Sequence, residues 1–354
     1  MAADAATDTT DAIAHGRNLF TFLALNRERL TPMLILTHDY PDPDALASAY
    51  ALQHLAQAAF GISARIACEG EVGRTENKNM VRLLRIPVRR FRKSWLKQFP
   101  AVALVDTQPA FENNPFPRNR HATIVVDQHG SVTPPDAEFV VVDPDCGATC
   151  VIVAQALLAS GAEIPARVAT ALAYGILTDT LDLYRAHRPD VVQTYLEVLQ
   201  QADMRTLAQI QNPTSSRRFF ATLGKGITGA RRYRKLLVSH LGEVETPDLV
   251  SQVAEFLLAY ERTRWCLVTG HYRGRLHASL RSTRVEAQAG EVLRAAFPSP
   301  RDAGGHGPIA GGSCRVGSDV TEATWQEREA QLLGRVLKRL RIAADTEPRR
   351  PFER

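Results

Sequence analysis

The stretch "THDYPDPDALASAYAL", residues 37–52, places one histidine and three aspartates directly ahead of an alanine-rich apolar run. The preceding "MLILTH" is typical of a short strand and "DALASAYALQHLAQAAF" of a helix, so the acids lie on a strand-to-helix loop. Two prolines restrict φ in this loop and favour convergence of the acids. The H-x3-D-x-D pattern of His38, Asp42 and Asp44 therefore predicts a divalent-metal site, or exposed acids with Asp44 capping the helix.

The bulk composition allows two domains, since 354 residues with 45% hydrophobic content can form two cores. No apolar run reaches the roughly 18 residues that a membrane helix needs, and the N-terminus carries acids where a signal peptide would be apolar. We therefore expect a cytoplasmic protein without membrane association. The five cysteines, of which only Cys146 and Cys150 are close in sequence, are expected to be buried or free thiols.

The net charge is +5, and some of the basic residues form three clusters. These are "RLLRIPVRRFRK" (82–93), "GARRYRK" (229–235) and "LGRVLKRLR" (333–341). Each cluster alone is typical of a solvated face. Together they favour phosphate-rich ligands, because the forked donors of arginine match a phosphate edge.

Residues 33–180 alternate between compact apolar runs and helix-like runs, which predicts a parallel sheet in an α/β domain. The strands "AVALVD" and "TIVVD" end in Asp106 and Asp127, and Asp179 lies in "GILTDT". Because parallel strands open their carboxyl ends on one edge, we expect these acids to meet the motif at 38–44 in one crevice. This convergence favours a metal site over simple helix capping.

The sequence pattern predicts five segments. They are a helical or flexible N-terminal segment (1–29), a metal-binding domain (30–185), a helical connector and linker (186–225), a second α/β domain (226–320), and a charged helix with a flexible tail (321–354). The second domain is predicted from the strand-like "KLLVSHLG", "RWCLVTGHY" and "RLHASLRS". It ends in the glycine-rich "AGGHGPIAGGS", which is typical of a tight turn.

The ordered series "THDYPDPDALASAYAL", "VALVDTQP", "VVDQHG", "GILTDT", "SLRS" and "AGGHGPIAGG" resembles the DHH/DHHA1 phosphoesterase family, in particular its nanoRNase/pAp-phosphatase-like branch. The similarity extends over residues 30–320. It implies an N-terminal parallel-sheet DHH domain and a C-terminal α/β DHHA1 domain across a cleft. The first would carry the metals and the second would select the substrate.

The resemblance also implies a two-metal site, usually with Mn²⁺. His38 and Asp42 would hold one ion, Asp44 and Asp179 would belong to the other, and Asp106 would bridge the two. A set of carboxylate oxygens with some imidazole suits Mn²⁺ better than thiolate-binding ions. Two cations about 3.5–4 Å apart can stabilise both the attacking and the leaving oxygen of a phosphoester.

One position departs from the family motif. Asp127-Gln128-His129 stands where the family has Asp-His-His, so an amide occupies the place of an imidazole ligand to the second ion. Three interpretations remain open: an enzyme with a weaker or different second ion at Gln128, an enzyme in which His129 becomes the ligand, and a catalytically reduced nucleotide-binding protein. His129 otherwise matches a family histidine that faces the substrate phosphate, or it caps the strand end.

In the second domain the resemblance implies a substrate site. Arg281 and Ser282 of "SLRS" would lie towards the substrate phosphate. Gly304, Gly305 and His306 would form a turn that holds the nucleotide, since glycines let backbone N–H groups approach an anion.

We therefore expect a metal-dependent phosphoesterase in which Asp106 and His129 are catalytic. The expected substrates are short oligoribonucleotides, linear dinucleotides or 3′-phosphoadenosine 5′-phosphate. The alternative is a nucleotide-binding or regulatory protein of the same fold, and an inorganic pyrophosphatase or polyphosphatase would share the metal site. The expected partners are RNA oligonucleotides or nucleotides, and a homodimer is compatible with this prediction.

Overall fold

The computed structural model describes residues 4–73, 75–284, 286–317 and 320–353, with side chains over the same ranges except 4–13 and 306. The chain divides into two compact units, Met1–Pro213 and Thr214–Arg354. The division lies within the stretch 186–225 that we predicted as a connector. Among the described residues, no helix is both long and apolar enough to cross a membrane.

The first unit contains a six-stranded parallel sheet. Its strands are β1 (Met33–Leu36), β2 (Ala64–Cys68), β3 (Arg89–Arg90), β4 (Ala101–Val105), β5 (Ala122–Asp127) and β6 (Ala137–Val142), in the order β3-β2-β1-β4-β5-β6. Its helices are α1 (Asp4–Asn26), α2 (Pro43–Phe60), α3 (Thr75–Leu84), α4 (Trp95–Gln98), α5 (Thr149–Ala159), α6 (Ala166–Asp179), α7 (Pro189–Leu199) and α8 (Met204–Gln211).

The central strands β1, β4 and β5 are buried at every residue, which explains their uninterrupted apolar sequences. Helices α1, α2, α5 and α6 contribute to the core on one face of the sheet, and Trp95, Phe99 and Phe116 pack on the other. The chain runs outward from β1 to β3 and then returns to place β4 beside β1. This reversal of strand order creates a crevice at the carboxyl ends of β1 and β4, where α/β proteins commonly bind ligands.

The opening motif forms the start of α2. Asp42 is the N-cap, and its Oδ1 accepts a hydrogen bond from the backbone N–H of Ala45 at 3.1 Å. Pro43 follows at the first helical position, where its fixed φ and missing N–H carry no penalty. A Cβ at Gly175 of α6 would lie only 2.9 Å from the Ala47 Cβ, so glycine permits the close packing of α6 on α2.

The second unit contains a mixed six-stranded sheet in the order β11-β12-β10-β9-β8-β7. Its strands are β7 (Arg231–Tyr233), β8 (Leu236–Glu243), β9 (Trp265–Tyr272), β10 (Arg275–Ser282), β11 (Ala303–His306) and β12 (Ile309–Arg315). Its helices are α9 (Arg217–Thr228), α10 (Asp248–Leu258), α11 (Ala289–Ala296) and α12 (Glu322–Arg339), with a 3₁₀ turn at Pro300–Asp302. Helices α11 and α12 pack on one face, and α9 and α10 pack on the other.

The glycine-rich stretch is a β-hairpin, and our prediction of a turn at Gly304-Gly305-His306 was wrong. These residues belong to the edge strand β11, which pairs with β12. The reason is close packing: a Cβ at Gly305 would lie 2.2 Å from the Ile309 carbonyl oxygen, and one at Gly312 would lie 2.6 Å from the Phe297 ring. Gly305 and Gly312 are therefore required by close contacts, the first with the facing backbone of the hairpin and the second with the Phe297 ring after α11.

The two chain ends pack against their own units. Leu19 and Leu23 of α1 are fully buried in the first core. Beyond α12, Arg349 exchanges two backbone hydrogen bonds with Arg232 of β7, at 2.8 and 3.0 Å. The stretch that we expected to be a flexible tail thus extends the edge of the second sheet. All five cysteines are buried free thiols, in agreement with the sequence prediction.

A buried ion-pair network holds α7 to the end of β6. Arg188 donates from Nη1 to Asp143 at 2.8 Å and from Nη2 to Asp190 at 2.9 Å. Gln155 of α5 adds a 3.0 Å hydrogen bond to Asp190. Both carboxylates are almost fully buried, so each depends on these donors for charge compensation.

We predict that Arg188→Met lowers the free energy of unfolding of the first unit by about 3 kcal/mol, because it leaves two buried carboxylates without their cation. Urea denaturation monitored by circular dichroism measures this loss. The control is Arg29→Met, which breaks the exposed Arg29–Glu138 ion pair and should cost about 1 kcal/mol or less. Equal losses in the two variants would contradict a special role for Arg188.

The loss in free energy of unfolding caused by Arg188→Met should depend on pH. Burial alone would raise the pKa of Asp143, but hydrogen bonds from His15 and Arg188 outweigh it and lower the pKa below its ordinary value of 3.8. A lowered carboxyl pKa contributes stability that is complete above the ordinary pKa and is lost as the pH falls through the lowered one. The stability difference between the two proteins should therefore be constant near pH 5 and shrink towards pH 3, measured by the same titrations.

Candidate metal centre

Several acidic and histidine side chains meet at the carboxyl edge of the first sheet. His38 follows β1, Asp106 follows β4, Asp127 ends β5, and Asp42 begins α2. Asp106 has a φ of 58°, in the left-handed region that non-glycine residues rarely adopt. Such a conformation costs free energy that the surroundings must offset, and it is frequent at functional sites.

The first group of potential ligands is His38, Asp42 and Asp106. The His38 Nε2 lies 3.8 Å from Asp42 Oδ1 and 3.6 Å from Asp106 Oδ2. One ligand atom from each of the three residues lies within 4.8 Å of the others. One imidazole and two carboxylates at this spacing could hold one divalent cation such as Mn²⁺.

The second group is Asp106, Asp127 and His129, which also lie within 4.8 Å of one another. The His129 Nδ1 lies 2.8 Å from Asp127 Oδ1 and 3.5 Å from Asp106 Oδ1. Asp106 thus belongs to both groups and faces each with a different oxygen. This is the position in which one carboxylate could bridge two cations.

Two buried polar side chains orient these carboxylates. The Thr149 hydroxyl donates to Asp106 Oδ1 at 2.9 Å, and Gln108 Nε2 donates to Asp127 Oδ2 at 2.8 Å. Both donors are fully buried, so water does not compete for these hydrogen bonds. Outer-shell residues that orient metal ligands in this way typically change metal affinity by about 10- to 100-fold when they are substituted.

The electrostatics of the centre favour a cation. Burial and the charge of Asp42 raise the pKa of Asp106 to about 6, although His38 opposes this shift. Burial would lower the pKa of His38, but Asp106 and Asp42 outweigh burial and raise it to about 10. The hydrogen bond to Asp127 raises the pKa of His129 to about 9, against the effect of burial. The clustered carboxylates therefore stabilise positive charge, and a divalent cation meets the same requirement.

Asp44 has a different environment from the other predicted ligands. Its two oxygens accept 2.8 Å hydrogen bonds from the backbone N–H groups of Thr149 and Cys150, at the start of α5. It belongs to neither ligand group. Burial, together with repulsion from Asp106 and Asp179, raises its pKa well above the ordinary value. Asp44 therefore connects α2 to the N-terminus of α5 beside the centre.

Gln128 and Asp179 form a pair at the margin of the centre. The Gln128 side-chain amide donates to Asp179 Oδ2, and its backbone N–H donates to the Thr149 hydroxyl at 3.1 Å. Asp179 is the last residue of α6, so it approaches the centre from a helix end. It also lies outside both ligand groups.

Three contributors to the centre were not predicted from the sequence. Asp127 was expected to be a strand-end acid without a ligand role, and no role was assigned to Gln108 or Thr149. Gln108 stands two residues after Asp106 in "VDTQP", so a polar residue next to a strand-end acid was the available signal. Nothing in the local sequence around Thr149 indicated that its hydroxyl would reach Asp106.

The predicted substrate residues lie in the second unit, where they are partly engaged. Arg281 is buried on β10 and donates from Nη1 to the Ala310 carbonyl at 3.3 Å. The Ser282 hydroxyl donates to the Arg264 carbonyl at 3.2 Å. Gly304 and Gly305 lie in β11, and no atom lies within 4 Å of a Cβ built on Gly304. The His306 side chain lies outside the described residues.

The comparison with known families agrees with the geometry of the first unit. The model of the DHH family, N-terminal domain, matches residues 32–176. Residues 32–176 belong to the DHH family. Members of this family are generally metal-dependent phosphoesterases or hydrolases, and the matched range contains both ligand groups.

A curated relative is an uncharacterized protein of Methanocaldococcus jannaschii. It is 32% identical over 292 residues, which is 82% of this chain. The aligned region spans 59% of that relative's length, so this chain corresponds to only part of it.

Solved structures share the fold at low sequence identity. An exopolyphosphatase-related protein from Bacteroides fragilis superposes with a TM-score of 0.70 at 16% identity, covering 92% of this chain and 97% of that one. CDC45 from Entamoeba histolytica superposes with a TM-score of 0.51 at 8% identity, covering 92% and 99%. These similarities support the α/β architecture of the chain, in which the first unit has a parallel sheet and the second unit has a mixed sheet.

Because Asp106 belongs to both ligand groups, we predict that Asp106→Asn lowers Mn²⁺ affinity by more than about 100-fold, beyond the effect typical of outer-shell residues. Isothermal titration calorimetry of the full chain measures the affinity and the stoichiometry. The control is Asp136→Asn, since Asp136 is exposed and pairs only with His121 in the described structure. Unchanged Mn²⁺ binding in Asp106→Asn would contradict this location of the centre.

Proposed function

We propose that this chain is a Mn²⁺-dependent phosphoesterase that hydrolyses short oligoribonucleotides, linear dinucleotides or 3′-phosphoadenosine 5′-phosphate. The observation that supports it best is the sharing of Asp106 between two groups of potential ligands. Two cations held in this way would suit attack on a phosphoester, which needs stabilisation of both the attacking and the leaving oxygen.

The donor set fits divalent metal ions. The two groups offer carboxylate oxygens and imidazole nitrogens and no thiolate, which suits Mn²⁺. When bound, such ions supply Lewis acidity and lower the pKa of a water molecule. His38, Asp42 and Asp106 would hold one ion, and Asp106, Asp127 and His129 are the residues placed to hold a second.

The chain's own residues have definable roles in this proposal. Thr149 and Gln108 fix the two buried carboxylates, so little reorganisation is needed when ligands bind. Asp127 faces Nδ1 of His129, which leaves Nε2 as the ring nitrogen that could donate to a phosphate oxygen. His129 is 54% exposed and therefore accessible to substrate.

The proposal leaves two candidates, Gln128 and His129, for the ligand of the second ion. The Gln128 amide is occupied by Asp179, whereas His129 lies within 3.5 Å of Asp106. This arrangement supports the interpretation in which His129 replaces the missing family histidine as a ligand. Under the alternative with a weaker second ion, the Gln128 carbonyl oxygen would be the ligand, while its amide nitrogen could still donate to Asp179.

Substrate recognition is assigned to the second unit as a proposal. Arg281, Ser279 and His277 alternate along β10 and therefore lie on the same face of the sheet. A guanidinium on this face would pair with a substrate phosphate. Ser282, Gly304, Gly305 and His306 keep their predicted role in binding the nucleotide, with the glycines now in a strand and not in a turn.

We predict that the full chain hydrolyses pApA with Mn²⁺ and that Asp106→Ala lowers kcat/KM by at least about a thousandfold. A shared ligand supports metal stabilisation worth several kcal/mol, and each 1.36 kcal/mol corresponds to tenfold in rate. Release of mononucleotide, followed by chromatography, measures the rate. Asp136→Asn is the control and should keep the parent rate.

The rival function is a nucleotide-binding or regulatory protein without turnover. Gln128→His, which restores the family motif, separates the two functions. If neither the parent nor Gln128→His hydrolyses pApA, 3′-phosphoadenosine 5′-phosphate, pyrophosphate or polyphosphate, while nucleotide still binds, the enzyme proposal fails. Preference for pyrophosphate or polyphosphate over the nucleotide substrates would instead overturn the proposed substrate class.

A further inference from the structure

A pocket lined by arginines lies at the β3 edge of the first sheet, and it shares no residue with the metal centre. Its volume is about 470 Å³, and it is lined by Arg65, Arg89, Arg90, Phe91, Arg92 and Trp95. This volume falls within the range of roughly 300–1,000 Å³ that is usual for small-molecule sites. Most of the lining comes from the basic cluster 82–93, for which the proposed function has no role.

The sheet and the aromatic residues position the arginines. Arg65 is on β2, and Arg89 and Arg90 form β3, which pairs with β2 at the edge of the sheet. The backbone N–H of Phe91 donates to the Cys68 carbonyl at 2.7 Å and so continues this pairing by one residue. Arg65, Arg89 and Arg90 are therefore held by regular backbone hydrogen bonds, and Arg92 follows directly after this pairing.

Aromatic rings further restrict two of the guanidinium groups. The Arg65 guanidinium carbon lies 4.5 Å from the centre of the Trp95 ring and 5.3 Å from that of Phe99. The Arg92 guanidinium carbon lies 6.0 Å from the Trp95 ring centre. These cation–π contacts reduce the conformational freedom of two long side chains before any ligand binds.

The positive charge of the pocket lacks carboxylate partners. Arg65, Arg89, Arg90 and Arg92 are exposed, and within the described ranges none of them has a carboxylate oxygen within 4.0 Å. Four permanently charged groups lining one pocket repel one another unless an anion binds between them. The forked donors of arginine form bidentate hydrogen bonds with phosphate oxygens, and a phosphate group can carry more negative charge than a carboxylate.

From this geometry we infer that the pocket binds a compact ligand with two or more adjacent phosphates, such as a nucleoside diphosphate or triphosphate, at a site separate from the metal centre. Four cations in one pocket suit several negative charges in a small volume. Arg65 covers the Trp95 ring, so the pocket presents guanidinium groups where a single-stranded nucleic acid would need a free ring for base stacking. The inference does not depend on the proposed phosphoesterase activity.

Isothermal titration calorimetry of the full chain, at 150 mM salt, tests the inference with probes that resist hydrolysis. The probes are imidodiphosphate and α,β-methylene-ADP, compared with orthophosphate and a single-stranded DNA ten-mer. We expect the two diphosphate probes to bind more tightly than orthophosphate. The double variant Arg89→Ala/Arg92→Ala should bind both diphosphate probes with an affinity at least about tenfold lower, because charge-assisted hydrogen bonds are lost.

Two further variants separate a specific site from general attraction to a basic protein. Arg17→Ala/Arg167→Ala removes the same charge from exposed positions on α1 and α6 and should change binding by less than about twofold. Arg89→Lys/Arg92→Lys keeps the charge but loses the forked donors, so affinity should still fall by about threefold or more.

Three outcomes would overturn the inference. The first is that neither diphosphate probe shows saturable binding. The second is that the pocket variant and the charge-matched control lose the same affinity for these probes. The third is that substitution of Arg89 and Arg92 weakens binding of the DNA ten-mer and leaves binding of the diphosphate probes unchanged. Thermal melting followed by circular dichroism checks that the variants are folded. Because Arg89 and Arg92 are both exposed, their substitution should leave the melting temperature nearly unchanged. Hydrolysis of pApA by the same variants reports the proposed function separately, so failure of one does not imply failure of the other.

Discussion

The centre depends on one electrostatic constraint: carboxylates that are removed from water must be matched by positive charge. Asp106 and Asp127 are buried at the carboxyl ends of adjacent strands, and the protein compensates them with His38, His129 and hydrogen-bond donors. Burial of an unpaired charge is costly, so this arrangement persists only because each acid has a partner. The same constraint makes the site suitable for divalent cations.

The strand order of the first sheet brings these buried carboxylates together. β1, β4 and β5 are neighbours in the sheet, and their buried, mostly apolar sequences lead to acidic and histidine residues at the carboxyl ends. Helix α5 adds its N-terminal N–H groups, which bind Asp44, and the Thr149 hydroxyl, which binds Asp106. The positive φ of Asp106 and the burial of the Gln108 side chain both cost free energy. Hydrogen bonds among residues of the sheet and of α5 thus offset this cost.

The arginine pocket shows a contrasting arrangement in the same unit. In the metal centre, negative charges are buried and matched within the protein. In the pocket, positive charges are exposed and held by cation–π contacts and edge-strand pairing, and no carboxylate of the described residues pairs with them. A protein that processes phosphorylated ligands would benefit from both, since one site concentrates cations and the other attracts anions.

The sequence by itself determined the parallel α/β class and the match to the DHH family, because apolar strands ending in acids and ordered motifs are local features. It also predicted that His38, Asp42 and Asp106 would lie close together, and the structure brings these three side chains together. Only the tertiary structure decided that Asp44 binds the N-terminus of α5, that Gln128 pairs with Asp179, and that the glycine-rich stretch is a hairpin. These outcomes depend on which segments pack together, since partners such as Asp44 and Thr149 are 105 residues apart in the sequence. Local sequence specifies the groups that are available, and packing selects which of them meet.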